Sequence, residues 1–148
     1  MYKKILAAVD GSAHGSAVLD AVSALAKLTG GTVQVIHIRP SQVISGGITS
    51  TVVPVEESAE SRKVVDDALA RLRADGITAD GEVDEGLTED LAAILVERAE
   101  ALGSDLIAVG PGHYSGISAL LHPSVSRAVA KSSPVSVLLV HSEAGATA

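Results

Sequence analysis

The sequence predicts a single α/β domain with an open, parallel, five-stranded sheet and helices on both of its faces. Short apolar runs rich in β-branched residues alternate with segments whose apolar residues recur every three or four positions, which indicates strands separated by helices. The 148 residues are 47% hydrophobic and 20% charged, a size and composition typical of one folded domain. Because the chain has no Phe, Trp or Cys, its core is aliphatic, as in most buried parallel strands.

The first half of the chain predicts two strands, one helix and a long connection. Residues 5–9 form an apolar run that ends at an Asp-Gly-Ser turn, and residues 32–38 form a β-branched run that ends at an Arg-Pro pair. Between them, apolar residues from Ala17 to Leu28 follow a helical period that stops at two glycines. We expect residues 41–57 to form a loop, and loops of this length are usually functional or mobile.

The next part of the chain predicts two helices and two strands. Residues 58–75 follow a helical period, and residues 77–83 form a shorter, more polar strand, which we expect at an edge of the sheet. Thr88 is expected to cap a strongly amphipathic helix that stops at Gly103. Residues 105–109 then predict a buried strand.

The end of the chain completes the predicted domain, which spans residues 1–141. A glycine-rich loop at residues 110–116 precedes a helix at residues 124–131 and a last apolar strand from Val135 to Val140. Residues 142–148 are expected to form a frayed tail.

Composition argues against several classes of function. The 11 basic and 18 acidic residues give a net charge of −7, which disfavours binding to nucleic acids and to anionic membranes. The absence of Cys excludes thiol catalysis, disulfides and thiolate metal sites. No apolar stretch has the length of a membrane span and no signal-peptide pattern is present, so we expect a cytoplasmic protein.

Three loops of the predicted sheet are candidates for a functional site. Ligands of open parallel sheets bind beyond the carboxyl ends of the strands, where the strand order reverses. The loops at that end follow the first, second and fourth strands and comprise residues 10–15, 38–54 and 110–126.

Four short segments, in this order along essentially the whole chain, resemble the universal stress protein family. They are Lys3-Lys4-Ile5-Leu6 leading into Val9-Asp10-Gly11-Ser12, the strand end from Asp105 to Gly110, the helix start from Ser124 to Val129, and Pro134-Val135 leading into the last strand. The resemblance implies a Rossmann-like sheet of order 3-2-1-4-5, similar to that of the adenine nucleotide alpha hydrolases. It also implies a protein that is usually dimeric and regulatory in the stress response, in a family with ATP-binding and non-binding subtypes.

The phosphate-binding motif of the ATP-binding subtype is altered in this chain. That motif has a glycine, two residues, a second glycine, nine residues, and a third glycine followed by Ser or Thr. Here the same spacing gives Gly110, then His113, then Pro123-Ser124. A side chain at position 113 and the missing N–H of Pro123 both weaken a backbone cradle for phosphate. Against this, Gly112 and Gly116 keep the loop flexible, and His113 or His122 offers phosphate a side-chain contact in place of an amide. The N–H groups at the start of the following helix also remain available.

By the resemblance, the remaining positions of an adenine-nucleotide site are intact. Asp10 contacts the adenosine together with the backbone of Ala8 and Val9, and Ile38 contacts the adenine. The whole implied set is Ala8, Val9, Asp10, Ile38, Val109, Gly110, Gly112, His113, Ser124, Val125 and Ser126. The resemblance implies either that this site binds ATP with Mg²⁺ or that the protein has no cofactor. A cyclic nucleotide in place of ATP is a further alternative.

Other interpretations of the same residues stay open. Asp10 also suits a turn after a strand, and His37 suits a hydrogen-bonded imidazole in the core. An enzyme on the same scaffold, a nucleotide hydrolase or an adenylating enzyme, would use Asp10 and His113. No serine lies on a Gly-x-Ser-x-Gly elbow and His113 and His122 lack a placed carboxylate, so we predict neither catalytic nor metal-binding residues.

The last strand predicts a homodimer. An apolar strand from Val135 to Val140 at the edge of the sheet is an aggregation hazard unless it is covered, and pairing with a second copy covers it. A dimeric adaptor that binds an unidentified protein and no nucleotide is therefore the alternative to a nucleotide-responsive protein.

Overall fold

The computed structural model describes residues 1–54, 58–111 and 123–142, which form six strands and four helices. The strands are β1 (Lys4–Ala8), β2 (Thr32–Gly46), β3 (Thr49–Pro54), β4 (Ala79–Leu87), β5 (Leu106–Val109) and β6 (Ser136–Leu139). The helices are α1 (Ala13–Thr29), α2 (Ser58–Ala74), α3 (Leu91–Leu102) and α4 (Pro123–Ser132). These elements confirm an α/β fold of alternating strands and helices.

Five of the described strands pair in parallel, in the spatial order β4-β2-β1-β5-β6. The central strand, β1, pairs with β2 on one side and with β5 on the other. The polar strand β4 pairs only with β2 among the described strands, which confirms its predicted position at an edge.

The predicted count of five strands is wrong because residues 41–57 are not simply a loop. β2 continues to Gly46 and pairs in antiparallel fashion with β3, so that a hairpin extends the sheet and changes its strand count and order from the predicted five-stranded 3-2-1-4-5. The hairpin turns at Gly47, whose φ of +65° suits a two-residue turn. Residues 55–57 lie outside the described part of the chain.

The helices begin and end close to the predicted positions. α3 differs most, because a 3-10 turn at Thr88–Asp90 precedes it and the α-helix itself begins at Leu91, without a side-chain cap from Asp90. It ends, as predicted, at Gly103, which adopts the left-handed conformation.

The helices cover the sheet in two pairs, and each pair encloses its own apolar core. α1 and α2 pack on one face, over a cluster that includes Val9, Val35 and Ala108. α3 and α4 pack on the other face, over a cluster that includes Ala8 and Ile38. Successive residues of a strand point to opposite faces, so each buried strand contributes to both cores.

A carboxylate joins β1 to β5 at the amino end of the sheet. Asp105 accepts hydrogen bonds from the backbone N–H of Lys3 at 2.9 Å and from that of Lys4 at 3.0 Å. Burial alone would raise the pKa of Asp105, but these backbone N–H groups stabilise the charged form and hold the pKa below its usual value. The carboxylate therefore stabilises the fold above the unfolded pKa of about 3.9, and this contribution is lost as the pH falls through the lower, folded-state pKa.

We expect Asp105→Asn to lower the free energy of unfolding by about 1–2 kcal/mol at pH 7, because one strong acceptor is lost. The difference from wild type should narrow as the pH falls from about 4 through the lower pKa of the folded state, where the wild-type carboxylate also loses its charge. Urea unfolding followed by circular dichroism across this pH range measures both effects.

The control is Asp66→Asn, because Asp66 is an exposed carboxylate that pairs with Arg62 one turn away on α2. Such a pair contributes about 0.3–0.5 kcal/mol, so this variant should unfold almost as wild type does. An Asp105→Asn protein no less stable than the Asp66→Asn protein at pH 7 would contradict the proposed contribution of Asp105.

Candidate functional site

The strand order places a crevice between the carboxyl ends of β1 and β5. From β1 the chain crosses to β2 through α1 on one face, and from β4 it returns to β5 through α3 on the other face. The loops that follow β1 and β5 therefore diverge to opposite faces, which is where open parallel sheets bind their ligands. Among the predicted site residues, Asp10 follows β1 and Gly110 follows β5 at this crevice.

The two carboxylate oxygens of Asp10 differ in their hydrogen bonds to the described residues. Its Oδ1 accepts hydrogen bonds from the backbone N–H of Ser12 at 3.0 Å and from the Ser12 hydroxyl at 2.6 Å. Its Oδ2 is buried and has no hydrogen-bond partner among the described residues. Asp10 thus has the predicted role in the turn, and it also holds an acceptor that the described chain leaves unused. An unsatisfied buried carboxylate oxygen is costly, so this atom is a candidate acceptor for a donor that is not among the described residues.

The first turn of α1 packs closely against Asp10. A Cβ atom on Gly15 would lie 2.9 Å from Asp10 Oδ1 and 3.2 Å from the Asp10 backbone nitrogen. Ser12 caps this helix, since its side chain accepts a hydrogen bond from the Gly15 N–H. The glycine therefore lets the helix start fix the position of the carboxylate.

His37 fixes the backbone immediately before Asp10. The imidazole is buried, as predicted, and its Nδ1 lies 2.8 Å from the Val9 carbonyl oxygen. Because a carbonyl oxygen only accepts, this contact requires the proton on Nδ1. The backbone N–H of Val9 donates to the Ile36 carbonyl at 3.0 Å. Both polar groups of the Val9 backbone are thus held by β2.

Four of the predicted site residues form one apolar wall. Ala8, Ile38, Val109 and Val125 belong to the core cluster on the α3 and α4 face, and each is buried. They come from the ends of β1 and β5, from β2 and from the first turn of α4. The structure therefore brings together residues that are up to 117 positions apart in the sequence.

The start of α4 is tied to the segment that follows β5. Ser126 Oγ donates a hydrogen bond to the Pro111 carbonyl at 3.0 Å. The helix begins at Pro123, so the N–H groups of Ser124 and Val125 are among the first of the helix and have no acceptor within it. The predicted site residues Gly112 and His113 lie outside the described part of the chain.

A second polar cluster at this end of the sheet was not predicted from the sequence. Arg39 hydrogen-bonds to Ser58 at the start of α2, and its guanidinium lies 3.7 Å from the Glu85 carboxylate. Glu85 also accepts a hydrogen bond from the Ser41 hydroxyl at 3.2 Å. Residues 39 and 85 face each other in the β2–β4 register, which only the strand pairing reveals.

Arg98 of α3 forms ion pairs with two acidic residues of β4, Glu82 and Asp84. Arg98 donates two hydrogen bonds to the Glu82 carboxylate, at 2.8 and 2.9 Å. Burial raises the pKa of nearby Asp84 and the charge on Glu82 raises it further, while Arg98 acts in the opposite direction. Across the described residues, no group of three or more His, Cys, Asp or Glu side chains is arranged to hold a metal ion.

A cavity of about 450 Å³ lies on the opposite face of the sheet from Ile38. It lies between the first turns of α1 and α2, over an apolar floor that includes Val9, Leu19 and Val64. Charged side chains of α2, among them Lys63 and Asp67, surround its opening. Asp10 and Ile38 do not line it, but Gly11 and Ser12 do, so the cavity adjoins the turn that contains Asp10.

Solved structures share this fold over nearly the whole chain. A universal stress protein in complex with cAMP is 23% identical with a TM-score of 0.70, and the match covers 96% of this chain and 98% of that one. The universal stress protein of Archaeoglobus fulgidus in complex with dAMP is 24% identical with a TM-score of 0.66, over 94% of this chain and 98% of that one. No helix in the described ranges combines the length and apolar character of a membrane span.

Sequence comparisons agree with the fold. Universal stress protein YxiE of Bacillus subtilis (strain 168) is 27% identical over 150 residues, which cover 95% of this chain and 99% of that protein. The family model described as "Universal stress protein family" matches residues 1–141. The chain therefore belongs to the universal stress protein family.

Proposed function

We propose that this universal stress protein binds an adenine nucleotide in the crevice between β1 and β5, and that it acts as a regulatory protein in the stress response of the cytoplasm and not as an enzyme. One observation carries the ligand proposal: the buried Asp10 Oδ2, which has no partner among the described residues. The cAMP and dAMP complexes of proteins with this fold supply the class of ligand.

The chemistry of Asp10 suits a nucleoside. An ionised carboxylate only accepts hydrogen bonds, and the hydroxyl groups of ribose and the amino group of adenine are donors. The Ser12 contacts occupy Oδ1 and orient the carboxylate, so Oδ2 is the atom offered to the ligand. Acidic residues bind ribose hydroxyls in this way in other parallel α/β nucleotide sites. The apolar wall that contains Ile38 lies on the α3 and α4 face of the sheet, and an adenine ring would require apolar side chains of this kind next to Asp10.

The proposed site offers weaker interactions to the phosphates of the ligand than to its nucleoside. The first N–H groups of α4 and the positive end of its dipole favour an anion, but Pro123 contributes no donor. Any Mg²⁺ would be carried by the phosphates of ATP, since the described residues provide no carboxylate cluster for it. We therefore propose that the adenosine, more than the phosphates, accounts for the affinity.

We expect Asp10→Asn to bind AMP about 10- to 100-fold more weakly than wild type, because the hydrogen bond to a charged acceptor contributes about 1.5–3 kcal/mol. Purified protein is first denatured to identify any nucleotide it carries. Isothermal titration with AMP and with ATP and Mg²⁺ then measures the affinities.

Asp66→Asn is the matched control, since Asp66 is a surface carboxylate on α2. Its affinity should equal that of wild type. Failure of wild type to bind AMP or ATP at millimolar concentration would reject nucleotide binding and favour the adaptor alternative. Steady release of phosphate from ATP that is lost in Asp10→Asn would instead support an enzyme.

We expect Pro123→Gly to raise the affinity for ATP several-fold while leaving the affinity for AMP nearly unchanged. The glycine adds one backbone donor at the start of α4, and a hydrogen bond contributes about 1 kcal/mol. The same titrations measure the ATP-to-AMP ratio, and a ratio equal to that of wild type would contradict a role for α4 in phosphate binding.

We also propose that two copies associate through the last strand. β6 pairs only with β5 among the described strands, and Leu139 at its end is 45% exposed. A groove of about 400 Å³ lies beside it and is lined by apolar side chains of α1, including Leu25 and Leu28. A second β6 paired along this edge would satisfy its backbone groups and cover the groove.

We expect Leu139→Lys to weaken this dimer, because each copy would then place a charge on the apolar edge that the contact buries. Sedimentation equilibrium at micromolar concentrations measures the dissociation constant of the β6 contact. Lys131→Leu, an exposed change of the opposite kind on α4, should leave the constant unchanged. Equal association of the Leu139→Lys protein and wild type would contradict the β6 interface.

A further inference from the structure

The hairpin formed by residues 41–54 exposes apolar side chains on both faces. Val43, Ile44 and Val52 are each more than half exposed, and Ile48 at the turn is fully exposed. Val43 faces Val52 across the two strands, and Ile44 faces Thr51 on the other face. All six residues of β3 are exposed. A two-stranded hairpin is only marginally stable in water by itself, so these side chains indicate a surface that is covered in the working protein.

The outer edge of β3 carries none of the features that usually prevent strand association. β3 pairs with β2 along one edge, and no other described strand pairs with the second edge. Its residues Thr49 to Val53 include no charge, and they are β-branched residues apart from one serine. Pro54 interrupts the backbone donors only at the last position. Proteins normally protect exposed edges with Lys, Pro or bulges, so this edge is suited to pairing with another strand.

The absence of charged residues in the hairpin restricts the kind of partner that it can bind. No Asp, Glu, Lys or Arg occurs between Arg39 and Glu56, in a chain whose net charge is −7. Without basic residues the hairpin has no attraction for an anionic membrane or for nucleic acid, which the acidic body also repels. It has no acidic residues to bind a basic peptide. Two copies of the hairpin, in contrast, carry no charges that would repel each other.

We infer that the hairpin is a self-association surface, in which β3 pairs in antiparallel fashion with β3 of a second copy about a twofold axis at Thr51, the middle of the uncharged run from Thr49 to Val53. The pairing forms a four-stranded antiparallel sheet of order β2-β3-β3-β2 from two chains. The interface is self-complementary, because the same uncharged edge and the same apolar side chains are present on both sides. The main-chain groups of β3 gain partners, and Val43 and Val52 gain apolar neighbours.

This interface is distinct from the dimer proposed through β6. β3 and β6 lie at opposite ends of the strand order β3-β2-β1-β5-β6, so one chain can use both edges at once. Two different twofold contacts on one chain generate tetramers or longer assemblies. The hairpin residues 41–54 include none of the predicted nucleotide-site residues and none of β6.

Cross-linking tests the strand pairing directly, because the natural chain has no Cys. Thr51→Cys places one thiol near the middle of β3, and residues opposite each other in an antiparallel pair have Cα atoms about 4.5–5.5 Å apart, within reach of a disulfide. We expect oxidation by air with copper phenanthroline to give a covalent dimer at micromolar protein. Ala101→Cys, at an exposed position of α3, is the matched control and should stay uncrosslinked.

Sedimentation velocity on the full chain separates the two interfaces. We expect wild type to sediment as a species larger than a dimer, Val52→Lys and Leu139→Lys each as a dimer, and the double variant as a monomer. Ala101→Lys adds the same charge at an exposed site outside the hairpin and should sediment as wild type does. Val52 is exposed, so its replacement should not affect folding, which circular dichroism verifies.

Each outcome decides the inference. A monomeric Leu139→Lys protein, or a Thr51→Cys protein that cross-links no faster than Ala101→Cys, would overturn the hairpin interface while leaving the β6 dimer intact. A dimeric wild type that becomes monomeric in Val52→Lys but not in Leu139→Lys would support the hairpin interface and reject the β6 dimer. A monomeric wild type would overturn both.

Discussion

Every residue of β1 after Lys4 is buried, and this strand must therefore find hydrogen-bond partners along both edges and apolar cover on both faces. β2 and β5 provide the partners, and the two pairs of helices provide the cover. Polar side chains hold both ends of the strand. Asp105 accepts hydrogen bonds from the backbone N–H groups of Lys3 and Lys4, and His37 hydrogen-bonds to the carbonyl of Val9. These contacts also determine the position of Asp10, because it is the first polar residue after a strand whose edges, faces and ends are all held by other parts of the protein.

The parallel part of the fold and the place of the site are predictable from the sequence, because they depend on local patterns. Apolar runs and helical periods determine the elements, and alternation of strand and helix determines where the crevice opens. The sequence does not predict the hairpin, because glycines, prolines and small polar residues are interspersed among its apolar residues and are typical of a loop. Gly46-Gly47, between the β-branched residues around Val43 and Val52, is a hairpin signal that the sequence does contain.

Other features of the site depend on geometry that the sequence does not encode locally. Both Ser12 hydrogen bonds go to Asp10 Oδ1, which leaves Oδ2 without a partner among the described residues, and the same residues would permit a turn in which both oxygens are satisfied. The contact of Arg39 with Glu85 requires the register of two strands that are more than forty residues apart. Such pairings arise only when the sheet is assembled.

β2 belongs to both the crevice and the hairpin, since one continuous strand carries Ile38 in the apolar wall and Val43 five residues further on. Two binding events that order the same stretch of backbone are thermodynamically linked, and the coupling free energy between them is reciprocal. A nucleotide that restrains β2 would favour association of the hairpins, and association would raise the affinity for the nucleotide by the same factor. The fraction of the protein that is assembled would then depend on the concentration of the nucleotide.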